Sequence, residues 1–411
     1  MSRFKRNWAH IFKALGTSWQ PLLVIHLAFT ALGVMIFAPL LGLAGRLMLK
    51  LSGQAALADQ DIAYFLLSPP GLIALVVFAG LLIAILAFEQ ASMMVIALAT
   101  TKNIQLSALD ALRYAARHAH RLWLFTARLV IRVLLLTLPF LALAAGVAWL
   151  LISDYDINFY LTEKPSEFWI AVLLIGVILI IMLALLLRKT MQWSLALPLL
   201  LFAGISPSRA FAESARITRG QSRAILILLV SWGILALTLT FGMLGLLRLL
   251  GGWIIPLSSG TLSLTVIALG ALGALWAAAN FLITAFSSSS FACLLLTLYQ
   301  THNEAPIKDI FKPGQTPDSI RRFLPKTLIS GLIVAALIAG ATGVWLFNGI
   351  PTNNEIIVIA HRGAAGKAPE NTMAAMQQAI DDQTDWLEID VQENADGEVV
   401  VVHDSDFMKL A

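Results

Sequence analysis

The sequence predicts a polytopic α-helical membrane domain followed by a short α/β segment. Three observations carry that expectation. Hydrophobic residues make up 59% of the chain and charged residues only 13%. Seven long apolar runs contain no Asp, Glu, Lys or Arg. Half of the acids, 12 of 24, fall within positions 355–411. A soluble domain carries about 25% charged and about 45–50% apolar residues, so a mean hydropathy of +0.82 excludes a single soluble globule. A disordered chain is excluded too, because it needs low hydrophobicity and high charge. Among the 411 residues there is one cysteine, Cys293, which rules out an internal disulfide framework and a Cys-based zinc site. The net charge of +4 sums a basic-edged oily part and an acidic tail, and no nucleic acid is expected among the partners.

A helix crosses a hydrocarbon core of roughly 30 Å with about 20 apolar residues. The runs that meet or approach this length are 21–45, 71–88, 133–152, 168–187, 224–247, 260–286 and 327–347. Helix is the form that lets a backbone in lipid satisfy its own hydrogen bonds. The first run is too long for a signal-peptide core and has no convincing cleavage site, so it reads as a retained helix.

Lys and Arg set the orientation, because they accumulate on the cytoplasmic side. With a cytoplasmic N-terminus, 20 basic residues fall on that side and 4 (Arg46, Lys50, Lys164 and Arg248) on the other, before the tail. Seven crossings then put the tail outside a bacterial cytoplasmic membrane. The acidic loop 153–167 suits the outer side as well.

A weak internal repeat is visible. Glu89-Gln90, Arg188-Lys189-Thr190 and Ser287–Ser290 interrupt apolar sequence at a spacing of 99 residues, and each precedes a second apolar run. This predicts three two-helix units and a seventh helix. Two amphipathic basic segments, 102–121 and 206–223, are expected to lie along the cytoplasmic surface, drawn by anionic lipid. The region reads first as an anchor or lipid scaffold, with a transport path as the alternative. The charged residues near its helices, Glu89, Arg132 and Arg188-Lys189, are expected at the interface, with long side chains reaching water. His26 is expected to face a helix neighbour and Cys293 to fill apolar space.

The tail carries chemistry. After a linker at 350–355, Ile356–Ala360 is an apolar, β-branched run that suits a buried parallel strand. His361-Arg362-Gly363 follows at its C-terminal end, where α/β folds gather active-site groups. Asn371 or Thr372 is positioned to cap a helix reaching about Asp382. Trp386–Val391 alternates and reads as a second strand, with Glu388 and Asp390 on one face. Asp396-Gly397 signals a hairpin, and Glu398–Val402 a third strand ending in His403-Asp404. Two carboxylates at that spacing either converge on a hard cation, Ca²⁺ or Mg²⁺, or form a solvent-facing surface. His361 and His403 at strand ends offer a general base and a general acid near neutral pH. Arg362 offers a guanidinium fork to phosphate. Together these groups point to phosphoester chemistry.

In this order and spacing, His361-Arg362-Gly363, Pro369-Glu370-Asn371-Thr372, Glu388-Ile389-Asp390-Val391, Asp396-Gly397 and Val402-His403-Asp404 resemble the start of a glycerophosphodiester phosphodiesterase domain. Residues 1–349 resemble, more loosely, the membrane domain that precedes it in bacterial members. The resemblance implies a (β/α)8 TIM barrel that hydrolyses glycerophosphodiesters to glycerol 3-phosphate and an alcohol. It implies that His361 and His403 act as acid and base and that Arg362 binds phosphate. Glu388 and Asp390 would bind a divalent cation, and Glu370 would orient the site. Membrane lipids and a glycerophosphodiester substrate are the partners it implies. A full barrel takes about 250 residues, whereas positions 355–411 supply 57. The expectation is therefore the truncated start of a barrel, from a truncated product or a fragment of a longer membrane enzyme, with little turnover of its own. The competing expectation is a non-enzymatic lipid or solute transporter or scaffold with a vestigial tail.

Overall fold

Backbone hydrogen bonding and the apolar runs together give long helices. A computed structural model of the chain describes residues 3–52, 62, 65–155, 157–258, 262–302 and 357–404. The predicted seventh helix, 327–347, and the linker 350–355 lie outside the described residues. Helix α1 spans Arg3–Ser52, α2 Pro69–Thr101, α3 Ala108–Arg117 and α4 Ala119–Leu151. They are followed by α5, Ile157–Glu163, α6, Ser166–Trp193, and α7, Ala210–Ile217. The last helices before the tail are α8, Ser222–Ser258, and α9, Leu262–His302. Six described helices are long and apolar enough to cross a membrane. The chain divides into two units, 1–136 with 184–340, and 137–183 with 341–411.

In the first unit, α1, α2 and α9 pack against one another, and α8 packs on α9. Helix α1 kinks at Ser18, whose φ and ψ leave the helical region. The cause lies three residues on: Pro21 has no N–H to give the carbonyl of Thr17. The kink separates a basic segment carrying Lys5, Arg6 and Lys13 from the apolar run, and the Ser18 hydroxyl is hydrogen-bonded to that of Thr100 on α2.

The polar sites taken as breaks do not stop the helices. Helix α2 runs through Glu89-Gln90, α6 through Arg188-Lys189-Thr190, and α9 through Ser287–Ser290. None of these sites holds Gly or Pro, and hydroxyls there bond back onto their own helix, as Ser290 does to the Ser287 carbonyl at 3.0 Å. Only the middle repeat breaks, and it does so later. A helical turn at Ala196–Pro198 passes into a π turn at Leu199–Ala203, which Gly204 closes at φ +72°.

The second apolar runs nevertheless share a fate. Ala91–Leu98, Leu195–Phe202 and Ala292–Tyr299 supply most of one buried cluster, joined by Ile11, Leu22, Ile25, Leu122 and Phe125. Cys293 is buried in it. The basic segments become α3 and α7, and their apolar sides enter the same cluster through Ala111, Ala115, Ala210 and Phe211. They are therefore packed parts of the core, not only surface helices. The Tyr114 phenol donates to the Leu201 carbonyl at 3.1 Å, and Arg121 Nη2 donates to the Ile205 carbonyl at 2.8 Å. Burial pushes the Tyr114 phenol up from its ordinary pKa, which keeps it a donor. Arg132 lies over the Phe211 ring, 4.4 Å from its centroid, a cation–π contact. Side chains such as Val34, Met35, Ile73, Leu135 and Phe241 are exposed. A row of such residues suits lipid and would be an aggregation surface in water.

The tail, in the second unit, forms two small sheets and a helix. Strand β1, Ile359–Ala360, pairs in parallel with β2, Trp386–Leu387. Strand β3, Val391–Glu393, pairs antiparallel with β4, Val399–Val401. Helix α10, Met373–Asp381, lies between β1 and β2 in sequence, and Thr372 is its N-cap, accepting from the Ala375 N–H at 3.3 Å. Asn394 and Gly397, at φ +80°, close the β3–β4 hairpin. The predicted strand 386–391 is thus two short strands in separate sheets. The described residues contain no closed barrel.

Candidate functional site in the tail

Every site residue expected from the sequence is among the described residues, and the turn after β1 gathers most of them. Arg362 and Gly363 both take left-handed backbone, at φ +56° and +75°. An arginine rarely adopts that conformation, and such strain concentrates at functional sites. It turns the chain back toward α10, where the Ala364 N–H reaches the Ala375 carbonyl at 2.9 Å and the Asn371 N–H reaches the Arg362 carbonyl at 3.0 Å.

The same loop explains why the second strand is interrupted. Glu388 Oε2 accepts the Arg362 backbone N–H at 2.8 Å, and the Asp390 N–H donates to Asn371 Oδ1 at 3.1 Å. The Glu388 N–H still donates to the Ala360 carbonyl of β1 at 3.0 Å, but beyond it Asp390 bonds to the loop and the pairing of β1 with β2 goes no further. Both carboxylates are thereby drawn to Arg362. Its Nη1 donates to Glu370 Oε1 and Oε2, each at 3.1 Å. Its Nε lies 3.2 Å from Asp390 Oδ2, an ion pair whose angle falls short of a hydrogen bond. His361 is at the edge of this group, exposed, with Nε2 at 4.0 Å from Glu388 Oε2.

His403 arrives from the end of β4. Its Nδ1 is 2.6 Å from Asp404 Oδ1, and the Asp404 side chain is only 8% exposed. A buried carboxylate on one ring nitrogen orients the other. His403 and Asp404 line a cleft of about 80 Å³ with Glu370, Asn371, Thr372, Val401 and Val402. The loop, the interrupted strand and the hairpin end thus bring together Arg362, Glu370, Glu388 and Asp390, with His361 at one edge and His403 across a cleft wall shared with Glu370.

Glu370, Glu388 and Asp390 are hard oxygen donors, the kind that Ca²⁺ and Mg²⁺ take. Two of them already enclose a positive group, the Arg362 guanidinium, so the donor set fits a divalent cation in kind. Among the described residues, no three His, Cys, Asp or Glu side chains are grouped as a metal site.

Two residues at the site were not singled out for it in the sequence. Asp404 was read only as the neighbour of His403. Asn371 and Thr372 are the two cap candidates in the sequence. Thr372 caps, and Asn371 sits at φ +58° with its side chain clamped on Asp390, Nδ2 to Oδ2 at 2.9 Å. The signal available was the residue type, since Asn tolerates left-handed backbone better than most. Replacing Asn371 by Ala removes both bonds to Asp390. If Asp390 is a metal ligand, the expected loss in calcium affinity is about 10- to 100-fold, as for other supports of metal ligands, measured by calorimetric titration.

Two family descriptions match the chain. Residues 8–339 match the family described as the membrane domain of glycerophosphoryl diester phosphodiesterase. Residues 361–410 match the glycerophosphoryl diester phosphodiesterase family. A putative glycerophosphodiester phosphodiesterase, YhdW of Bacillus subtilis (strain 168), is 53% identical over 47 residues, 11% of this chain and 19% of that protein. The glycerophosphodiester phosphodiesterase of Caldanaerobacter subterraneus subsp. tengcongensis is 50% identical over 48 residues, 12% of this chain and 20% of its own length. Lysophospholipase D GDPD1 of Rattus norvegicus is 49% identical over 51 residues, 12% of this chain and 16% of that protein. The chain spans about a fifth of the length of the first of these curated relatives. No solved structure matches it. With most of its length matching the membrane domain and the tail matching the catalytic region, the chain belongs to the membrane-domain family of glycerophosphoryl diester phosphodiesterases.

Proposed function

We propose that the chain serves a membrane-bound phosphodiesterase that hydrolyses glycerophosphodiesters to glycerol 3-phosphate and an alcohol. The observation that carries this reading is the gathering of Arg362, Glu370, Glu388 and Asp390 beside His361, within a segment matching the catalytic family. Domain limits of 1–349, 350–355 and 356–411 go with it.

Hydrolysis adds water across one P–O bond. One histidine takes the proton of the attacking oxygen while the other gives a proton to the departing alkoxide, which leaves as the alcohol. His403, held through Nδ1 by Asp404, presents Nε2 for one of these roles, and exposed His361 takes the other. Arg362 exchanges part of its carboxylate pairing for phosphate oxygens, to which a guanidinium fork is well matched. Glu388 and Asp390 would hold a divalent cation, Ca²⁺ or Mg²⁺, which would offset phosphate charge. Glu370 positions the guanidinium. The reading is tested by glycerol 3-phosphate release from glycerophosphocholine, using the chain continued by a complete barrel of this family. Absence of release at every calcium and magnesium concentration would remove the enzymatic reading and leave the scaffold or transporter.

The basic-residue asymmetry supports a cytoplasmic N-terminus in a bacterial cytoplasmic membrane, with the catalytic tail outside. A reporter active only in the cytoplasm, fused after residue 411, is expected to stay silent. The same reporter fused after His302, which ends the sixth spanning helix, is expected to be active. Activity of the first fusion would reverse the orientation or remove one crossing.

A further inference from the structure

The membrane unit buries a second polar cluster, unrelated to phosphoester chemistry, where α1, α2 and α9 meet. His26 is 8% exposed, Glu89 4% and Gln90 8%. His26 Nδ1 lies 2.8 Å from Glu89 Oε1, and its Nε2 lies 3.1 Å from the Thr284 hydroxyl oxygen. The Ser288 hydroxyl donates to the same Glu89 Oε1 at 2.7 Å. Gln90 Nε2 donates to that hydroxyl at 2.8 Å and to the Ser288 carbonyl at 3.2 Å. The Phe281 ring lies against the imidazole, with centroids 5.2 Å apart. Glu89 is therefore buried against its neighbours and does not reach for water.

Two acceptors in this cluster are left open. A backbone carbonyl only accepts, so the Ser288 carbonyl fixes which end of the Gln90 amide faces it. Gln90 Oε1 must point the other way, and it is buried with no partner. Among the described residues, both hydrogen bonds to Glu89 go to Oε1 and none goes to Oε2. Meanwhile each imidazole nitrogen, hydroxyl and amide nitrogen of the cluster already has a partner. An unpaired buried acceptor is costly, and an ionisable group among spanning helices marks a site by default. The cluster therefore selects a ligand that donates.

Its level narrows the choice. Glu89 and Gln90 directly follow the apolar run 71–88, Ser288 follows the run 260–286, and His26 lies just inside the start of the run 21–45. Three helices thus place the cluster at one end of the apolar span, the depth of lipid headgroups. A phosphate needs donors, and none is open. A divalent cation takes about six oxygens, and two are open. A quaternary ammonium has no N–H. We propose that the cluster receives the primary ammonium group of a lipid headgroup, with Glu89 Oε2 and Gln90 Oε1 as its acceptors. The Glu89 carboxylate offsets the charge of the ammonium, and the lipid phosphate stays at the aqueous boundary, so no net charge is buried. This inference does not depend on the phosphodiesterase reading.

The test compares retention of phosphatidylethanolamine and phosphatidylcholine with identical acyl chains by the full chain, using native mass spectrometry. A hydrogen-bonded ammonium predicts about a tenfold preference for phosphatidylethanolamine. Glu89→Gln is expected to erase the preference and Gln90→Met to cut it several-fold, while circular dichroism shows unchanged helix content. A purely structural role would lower thermal stability without changing lipid choice. Equal retention of the two lipids by the unmodified chain overturns the proposal and needs no variant to fold. So does an undiminished preference in folded Glu89→Gln. Displacement of the lipid by equimolar free ethanolamine would assign the cluster to a soluble amine and overturn the headgroup source.

Discussion

In the chain continued by a complete barrel, His361→Ala and His403→Ala are each expected to slow glycerol 3-phosphate release by about 10²- to 10⁴-fold, the usual worth of a positioned proton-transfer group. The loss should not recover at high divalent metal, because neither imidazole is proposed as a ligand. Glu388→Ala and Asp390→Ala are expected to behave differently. Removing one of a few oxygen donors weakens a hard-cation site, so their activity should recover in part as calcium or magnesium is raised. Asp404→Asn probes the link between the two classes. Its carboxylate is 2.6 Å from His403 Nδ1, so the variant should lose part of the His403 effect and show no metal rescue. Activity near that of the unmodified enzyme in both histidine variants would show the proton-transfer assignment to be wrong. Metal rescue of His403→Ala would move that residue to the cation.

The parts of the fold legible in the sequence are those set by local composition. A run of apolar residues long enough to cross lipid has little choice but helix, so six of the seven predicted spans coincide with described helices, and the seventh lies outside the described residues. The hairpin at Asp396-Gly397 and the helix beginning after Thr372 were legible for the same reason. Turn and cap chemistry is read from neighbours in sequence. What was misread depended on distant partners. Glu89-Gln90 and Ser287–Ser290 resemble interruptions because polar groups in lipid are costly, yet they hydrogen-bond to each other across α2 and α9. The 99-residue repeat was correct as a spacing and wrong as a set of breaks. It marks where the chain passes from exposed to buried apolar surface. In the tail, the motif residues were legible as a set. Sequence alone did not show that Arg362 takes left-handed backbone and pairs with Glu370 and Asp390, or that Asn371 holds Asp390 from 19 positions away.

That left-handed turn is also where the smallest substitution has a large expected effect. Gly363 sits at φ +75°, and a Cβ there would lie 2.7 Å from the Ala375 carbonyl carbon and 2.8 Å from the Ala375 Cβ. Left-handed backbone costs an ordinary residue about 1–2 kcal/mol, and forcing a methyl into filled space costs about 1–3 kcal/mol more. Ala375 has little room to yield. It is fully buried, its N–H is held by the Thr372 cap, and its carbonyl accepts the Ala364 N–H. Relief of the clash must therefore come from the loop, which carries His361 and Arg362 out of register with Glu388. Gly363→Ala should destabilise the catalytic region in urea unfolding of the continued chain and abolish most phosphodiesterase activity. Trypsin should also cut faster after Arg362 and Lys367. Gly366→Ala is the matched control in the same loop. Its Cβ meets nothing within 4 Å and its φ is not left-handed, so a change within about 0.5 kcal/mol is expected. Equal unfolding midpoints for the two variants would show that the close approach of Gly363 to α10 does not hold the turn.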